Sequence, residues 1–178
     1  ELSLPVSEVN NPGLVKEFFS QELNVYIKDM SYDAKGYPVA LYLAGKGHQP
    51  GPTHGLRQWY VAHWNGSQWE HSPIATSDHN YDTGSLWVRA DEWFAIFPSE
   101  AGAPPWGGGG GGGVLESKKE GKKLEKNQRL NGPSSRNHNY IRRVVNGQDP
   151  FLYFWADGNP AAFSESHLYF GNRKGRVW

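Results

Sequence analysis

The sequence predicts an all-β fold of the blade-repeat, β-propeller type, and three observations carry that reading. Aromatic residues make up 14% of the chain and glycine 22 of its 178 residues, a balance that suits short strands and tight turns rather than long helices. A tyrosine motif recurs at a spacing of roughly 55 to 60 residues. It is Leu23-Asn24-Val25-Tyr26-Ile27-Lys28, then Asp78-His79-Asn80-Tyr81-Asp82-Thr83, then Asn137-His138-Asn139-Tyr140-Ile141-Arg142. Each tyrosine opens a strand-like run that is followed, after a turn signal, by further runs of the same kind.

In the first unit, residues 25–32 meet the turn Asp33-Ala34-Lys35-Gly36, and residues 38–44 then alternate Val39, Leu41 and Leu43 with the opposite face. Residues 58–64 and 68–73 flank Asn65-Gly66, a strong hairpin signal because both residue types tolerate positive φ. The unit reads as a four-stranded antiparallel meander. The second unit repeats it with residues 84–90, 93–98, the stretch after Gly113 and 123–130; the third has 140–145, 151–156, 167–170 and a clipped end at 176–178. The seven glycines of 107–113 read as a loop, since glycine in a strand costs about 0.5–1 kcal/mol per residue relative to alanine. The expected division is therefore a lead-in or blade remnant at 1–22, a blade at 23–75, a second at 76–134 and a third at 135–178. A ring needs at least about four such blades, so three are expected to belong to a larger propeller whose missing blades are partners within the same protein.

Composition narrows the function classes. The chain has no cysteine, which removes disulfides, thiol nucleophiles and cysteine zinc sites. Eighteen Lys and Arg balance eighteen Asp and Glu, so no global field favours nucleic acid. No run approaches the ~18 apolar residues of a membrane span. Residues 1–20 lack a signal-peptide pattern, and a processed N-terminus would look the same, leaving export open.

Residues 117–124 resemble a degraded Asp-box, the turn of sialidase-type propellers, with Lys119, Lys123 and Leu124 where that turn has Asp, Thr and Trp. A broader pattern resembles the BNR-4-type propeller family: Asn24-Val25-Tyr26-Ile27-Lys28-Asp29-Met30, Lys46-Gly47 with Pro50-Gly51-Pro52, and Arg57 with Trp59. Tyr81-Asp82 with Gly84-Ser85-Leu86, Asn137-His138-Asn139-Tyr140 with Arg142-Arg143, Trp155-Ala156-Asp157-Gly158, and Ser164-Glu165-Ser166 with Leu168-Tyr169-Phe170 belong to the same pattern. The resemblance spans residues 16–178 and implies a seven-bladed propeller, a secreted or periplasmic location, and activity on uronic-acid polysaccharides. Relatives include ulvan lyases, rhamnose-glucuronate lyases and hydrolases of the same rhamnose linkage.

A uronate lyase must neutralise the carboxylate at C5, remove the C5 proton and protonate the leaving oxygen. Arginine suits the first task through its forked donors; His and Tyr suit proton transfer. The first strand of each blade lies nearest the axis, so His79 with Tyr81 and His138 with Tyr140 come from equivalent places on neighbouring blades. Arg142 takes the position of Lys28 and Thr83 in the other repeats, and alternation puts it on the face of Tyr140, with Arg143 on the other. His79, His138, Tyr140 and Arg142 are thus the candidate catalytic residues. His54, Arg57, Tyr81, Arg143 and Trp155 are candidate sugar contacts.

Structural readings stand beside these. Repeat tyrosines can be packing residues whose hydroxyl ties one blade to the next. His71 and His167 read as structural or surface residues. Two histidines on adjacent inner strands could instead hold zinc. The lyase chemistry itself requires no cofactor, and Asp29, Asp33, Asp78 and Asp82 are either turn residues or oxygen ligands of a structural calcium. The leading expectation is a polysaccharide lyase acting by β-elimination, with a polysaccharide or oligosaccharide as partner and neither nucleic acid nor membrane. The alternatives are a glycoside hydrolase of rhamnosidase or sialidase type and a non-catalytic carbohydrate-binding propeller.

Overall fold

The computed structural model describes residues 9–90, 92–99, 112–117, 125–129, 134–159 and 161–172. It is all-β with almost no helix: among these residues the helical elements are two short 3-10 turns, Phe19–Gln21 and Pro52–His54. The strands form three antiparallel sheets. The first contains β1 (Asn24–Tyr32), β2 (Pro38–Gly45), β3 (Arg57–Trp64) and β4 (Trp69–Ser77) in that order; the second contains β5 (Ser85–Arg89), β6 (Glu92–Pro98), β7 (Gly112–Ser117) and β8 (Glu125–Arg129). The third contains β9 (Asn137–Arg143), β10 (Tyr153–Gly158) and β11 (Leu168–Gly171). None of the sheets closes on itself among the described residues.

Several local expectations shift, each for a physical reason. Asn65 does not take a left-handed backbone; its Oδ1 instead accepts the N–H groups of Ser67 and Gln68 at 3.0 Å each, a side chain standing in for a backbone turn acceptor. Gly66 supplies the positive φ, at 101°, and a Cβ there would meet the Tyr37 hydroxyl at 2.9 Å. Strand β4 runs past Pro73 to Ser77, because β4 is the edge strand and a bulge opposite Trp59 and Tyr60 absorbs the proline. Gly112 and Gly113 lie in β7, ordered by pairing with Pro98 and Phe97 rather than by propensity. Strand β9 begins at Asn137, three residues before the expected start, whereas Tyr81 precedes β5 in a turn. Residues 106–111, 118–124 and 176–178, with Trp106 and most of the Asp-box-like stretch, lie outside the described residues.

The sheets pack face to face in chain order. Val39, Leu41, Leu43, Trp59 and Val61 of the first sheet share a core with Leu86, Trp93, Ala95 and Phe97 of the second. Trp59 and Phe97 stack there with ring centroids 4.5 Å apart and planes at 19°. The other parity of β6, Phe94 and Ile96, joins Ile141, Tyr153 and Trp155 of the third sheet and Leu152 just before β10. The free face of the first sheet is covered by the lead-in: Phe18 packs on Tyr42 and Tyr60, and the Lys16 ammonium lies over the Phe18 ring.

Polar bonds fasten the edge strands β1, β5 and β9 to one another. The Leu86 N–H donates to Asp29 Oδ2 at 2.8 Å, and Arg143 pairs with the same carboxylate at 3.5 Å. Ser85 Oγ donates to the Ile141 carbonyl and accepts the Arg143 N–H, both at 3.2 Å.

Since Trp59 is wholly buried, bonded through its indole N–H to Ser77 Oγ and stacked on Phe97, Trp59→Ala should lower the unfolding free energy by about 3–5 kcal/mol. Denaturant titration checks this; a loss under about 1 kcal/mol would mean that the first and second sheets do not share this core.

Candidate functional site

Strands β1 and β9, each at the edge of its sheet, are bulged where the repeat motif falls. In β1, Lys28 is the extra residue between the pairs Ile27 with Tyr42 and Asp29 with Leu41. In β9, Tyr140 and Ile141 both oppose Trp155, between the pairs Asn139 with Ala156 and Arg142 with Phe154. Bulges re-aim side chains and are over-represented beside active sites. Tyr140 has φ 57°, unusual for an aromatic residue, and its backbone N–H is taken by the Asn139 side chain at 2.7 Å. The ring is left exposed. Arg142 is exposed as well, and its guanidinium reaches across from the third sheet to donate to the Lys28 carbonyl at 3.2 Å.

Lys28 is the centre of the polar contacts on the first-sheet side. Its Nζ donates to the Asn80 carbonyl at 2.8 Å and lies 5.5 Å from the centre of the Tyr26 ring. Burial lowers its pKa to about 8, with Arg142 pushing the same way and Asp82 opposing. The fully buried Asn80 donates through Nδ2 to the Tyr26 hydroxyl and to the His48 carbonyl, 3.2 Å each, while its buried Oδ1 has no hydrogen-bond partner among the described residues. Tyr26 and Tyr81 meet edge to face at 6.4 Å. Neither Lys28 nor Asn80 stands out in sequence as a site residue; the signal for Lys28 is that the repeat aligns it with Arg142.

The histidines take a definite tautomer. His79 Nδ1 accepts the Tyr81 N–H at 3.0 Å and His138 Nδ1 accepts the Trp155 indole N–H at 3.1 Å. A neutral ring that accepts at Nδ1 carries its proton on Nε2. Burial lowers both pKa values; Arg57 and Lys28 lower that of His79 further, and for His138 the raising effect of Asp157 is not enough to offset burial. Both imidazoles are therefore neutral donors at pH 7.

The remaining sequence candidates divide into surface and core. His54 is exposed, bonds Gln49 and packs on Gly47. Arg57 has no exposed surface and donates to the Gly51 and Gly55 carbonyls, holding that loop from beneath. Arg143 is committed to Asp29. Trp155 is buried and stacked on Tyr169 at 5.4 Å. Asp157, also buried, receives a forked pair from Arg136 at 2.9 and 3.0 Å, the Tyr169 hydroxyl at 2.8 Å and the His167 N–H at 2.9 Å. Burial alone would raise its pKa, but these donors outweigh it and hold the carboxylate ionised. His138 thus belongs with Trp155, Tyr169 and Asp157, whereas His79, Lys28 and Arg142 belong to one electrostatic neighbourhood. Among the described residues, no group of three or more His, Cys, Asp or Glu side chains has metal-binding geometry. A cleft of about 360 Å³ bounded by Trp87, Arg89 and Gln148 contains none of the four candidate catalytic residues.

No protein-family model and no curated protein matches the chain. Among solved structures it is similar to a PL25 ulvan lyase, with a TM-score of 0.63 and 16% identity over 85% of this chain. It matches equally a structure of that lyase bound to -[GlcA(1-4)Rha3S]-. The likeness is one of fold, and the chain spans 33% of the length of these neighbours.

The imidazole shifts give stability a direction in pH. The folded chain resists protons that an unfolded imidazole takes up near 6.5, so this contribution is full above that value and lost as pH falls below it. Unfolding free energy should decline between about pH 7 and about pH 5, and less steeply in His79→Gln and His138→Gln. Histidine NMR titrations that return both midpoints at or above 6.5 would contradict this.

Proposed function

We propose that the chain is part of a β-propeller of the BNR-4-like type, each sheet being one blade, and that it is a polysaccharide lyase cleaving a uronic-acid-containing glycan by β-elimination. The observation that carries this reading is the exposed Tyr140 held at a bulge in a left-handed backbone, two residues from Arg142, on the inner strand that approaches Lys28 and the His79 loop. The ulvan lyase likeness supports the substrate class, since one neighbour is bound to a glucuronate-rhamnose 3-sulfate unit.

In this reading Arg142 takes the carboxylate at C5, and neutralising it acidifies the C5 proton. Tyr140 accepts that proton as tyrosinate or passes one as phenol. The C5–H electrons form the C4–C5 double bond, the C4–O bond breaks, and the departing oxygen takes a proton from the Tyr140 phenol or from water. His79, held as the Nε2–H tautomer, acts as a hydrogen-bond donor rather than a base, because its Nδ1 lone pair is already engaged. Tyr81 and His54, both exposed, are the sugar contacts on the neighbouring loops. Arg57, Arg143, His138 and Trp155 support these groups from within the packing. The reaction as proposed uses no cofactor, and a polymeric substrate suits a secreted or periplasmic enzyme.

Product absorbance of an unsaturated uronate distinguishes elimination from hydrolysis, which leaves no double bond. Tyr140→Phe should reduce product formation by about 10²- to 10⁴-fold with substrate binding retained; near-normal turnover would return Tyr140 to a packing role. Arg142→Ala should raise KM as well as lower kcat, by about tenfold or more in kcat/KM.

A further inference from the structure

Sequence reasoning assigns the substrate carboxylate to Arg142, and the structure withdraws Arg57 into the core and Arg143 to Asp29. The structure brings a second cation beside Arg142. Lys28 and Arg142 are far apart in the chain, yet Arg142 donates to the Lys28 carbonyl, and the two charges are close enough for Arg142 to disfavour the lysine's protonated form. Among the described residues, the hydrogen bond of each goes to a neutral backbone carbonyl, that of Asn80 for Lys28 and that of Lys28 for Arg142.

The surrounding charges compensate this pair only in part, because Asp82 acts on Lys28 more strongly than Arg142 does but leaves two cations against one carboxylate. On the loop before β5, Asp82 is buried and attracts Lys28. On β1, Asp29 is occupied by Arg143 and the Leu86 N–H. The buried Arg57, at the start of β3, adds a further positive charge felt by His79. Tyr26 and Tyr81 present rings, and His79 is neutral. With Lys28 partly buried, Arg142 exposed and one carboxylate between them, the net positive charge that remains favours a further anion. Asn80 fixes the lysine: its carbonyl takes the ammonium, and its side chain ties the Tyr26 hydroxyl to the His48 carbonyl.

We propose that Lys28 is a substrate-binding residue, forming with Arg142 a two-cation seat for one uronate carboxylate, supplied by the inner strands of the first and third sheets across the loop that leads into the second. The seat rests on the lyase reading but makes a claim about binding that is measured without turnover. Two cations from separate sheets also make recognition depend on the packing of all three.

The probe is an oligosaccharide of glucuronate and rhamnose 3-sulfate, titrated calorimetrically into the full chain carrying Tyr140→Phe, beside the same oligosaccharide after desulfation. Lys28→Met should weaken binding roughly 10- to 100-fold, with Lys28→Arg restoring most of it. Affinity should fall as pH rises through about 8, where Lys28 loses its charge, and Lys28→Arg should remove that dependence. The loss should be the same for both oligosaccharides. A Lys28→Met effect below about twofold in a folded variant, an unchanged pH profile in Lys28→Arg, or a loss confined to the sulfated probe would each overturn the carboxylate seat. Were the unaltered chain to bind with these dependences yet release no unsaturated product, the lyase reading would fail while the seat stood.

Discussion

Strand β6 has no face turned to water, and this governs how the three sheets can be arranged. Trp93, Ala95 and Phe97 enter the core shared with the first sheet, while Phe94 and Ile96 enter the core shared with the third. Because side chains alternate strictly along a strand, a slip of one residue would exchange the two sets and mismatch both cores. The tight Trp59–Phe97 stack on one side and the Trp155 cluster on the other therefore pin one register. The relative placement of the edge strands β1, β5 and β9 follows from that pinning, and so does the distance that Arg142 must cross to reach Lys28.

Apolar burial sets the spacing of the sheets, but it is not directional enough to align the edges formed by β1, β5 and β9. Asp29 does that in one place by accepting the Leu86 N–H and pairing with Arg143, so that β1, β5 and β9 meet at one carboxylate. Ser85 repeats the arrangement between β5 and β9 as donor and acceptor at once. With the edges aligned, the bulges at Lys28 and at Tyr140–Ile141 turn side chains out of the ladder toward the same region. Rigid packing behind a few re-aimed polar groups is what a site acting by positioning and charge requires.

Two polar clusters of different character result. Around Asp157, the donors from Arg136, Tyr169 and His167 satisfy the carboxylate, and His138 is closed into the same packing by Trp155. That cluster is internally complete. Around Lys28, Asp82 favours its charge and Arg142 disfavours it, Arg57 acts on the neighbouring His79, and Asn80 keeps a buried oxygen without a partner among the described residues. Incomplete charge and hydrogen-bond satisfaction beside exposed aromatic hydroxyls is the more favourable setting for a ligand.

The sequence by itself determined the all-β class, nearly every described strand and the repeated motif, because alternation, turn residues and aromatic content act within a few neighbours. Val39, Leu41 and Leu43 announce a buried face without reference to anything distant. The same local logic placed Tyr140 and Arg142 together on one strand, β9. What only the tertiary structure decided involves partners far apart in the chain: that Lys28 bonds the Asn80 carbonyl and sits against Arg142, that Arg57 is sealed inside rather than presented to a sugar, and that His138 turns to Trp155. Residue type limits what a side chain can do, but which nitrogen accepts, which cation keeps a free donor and which arginine is consumed by a carboxylate depend on neighbours brought together by packing.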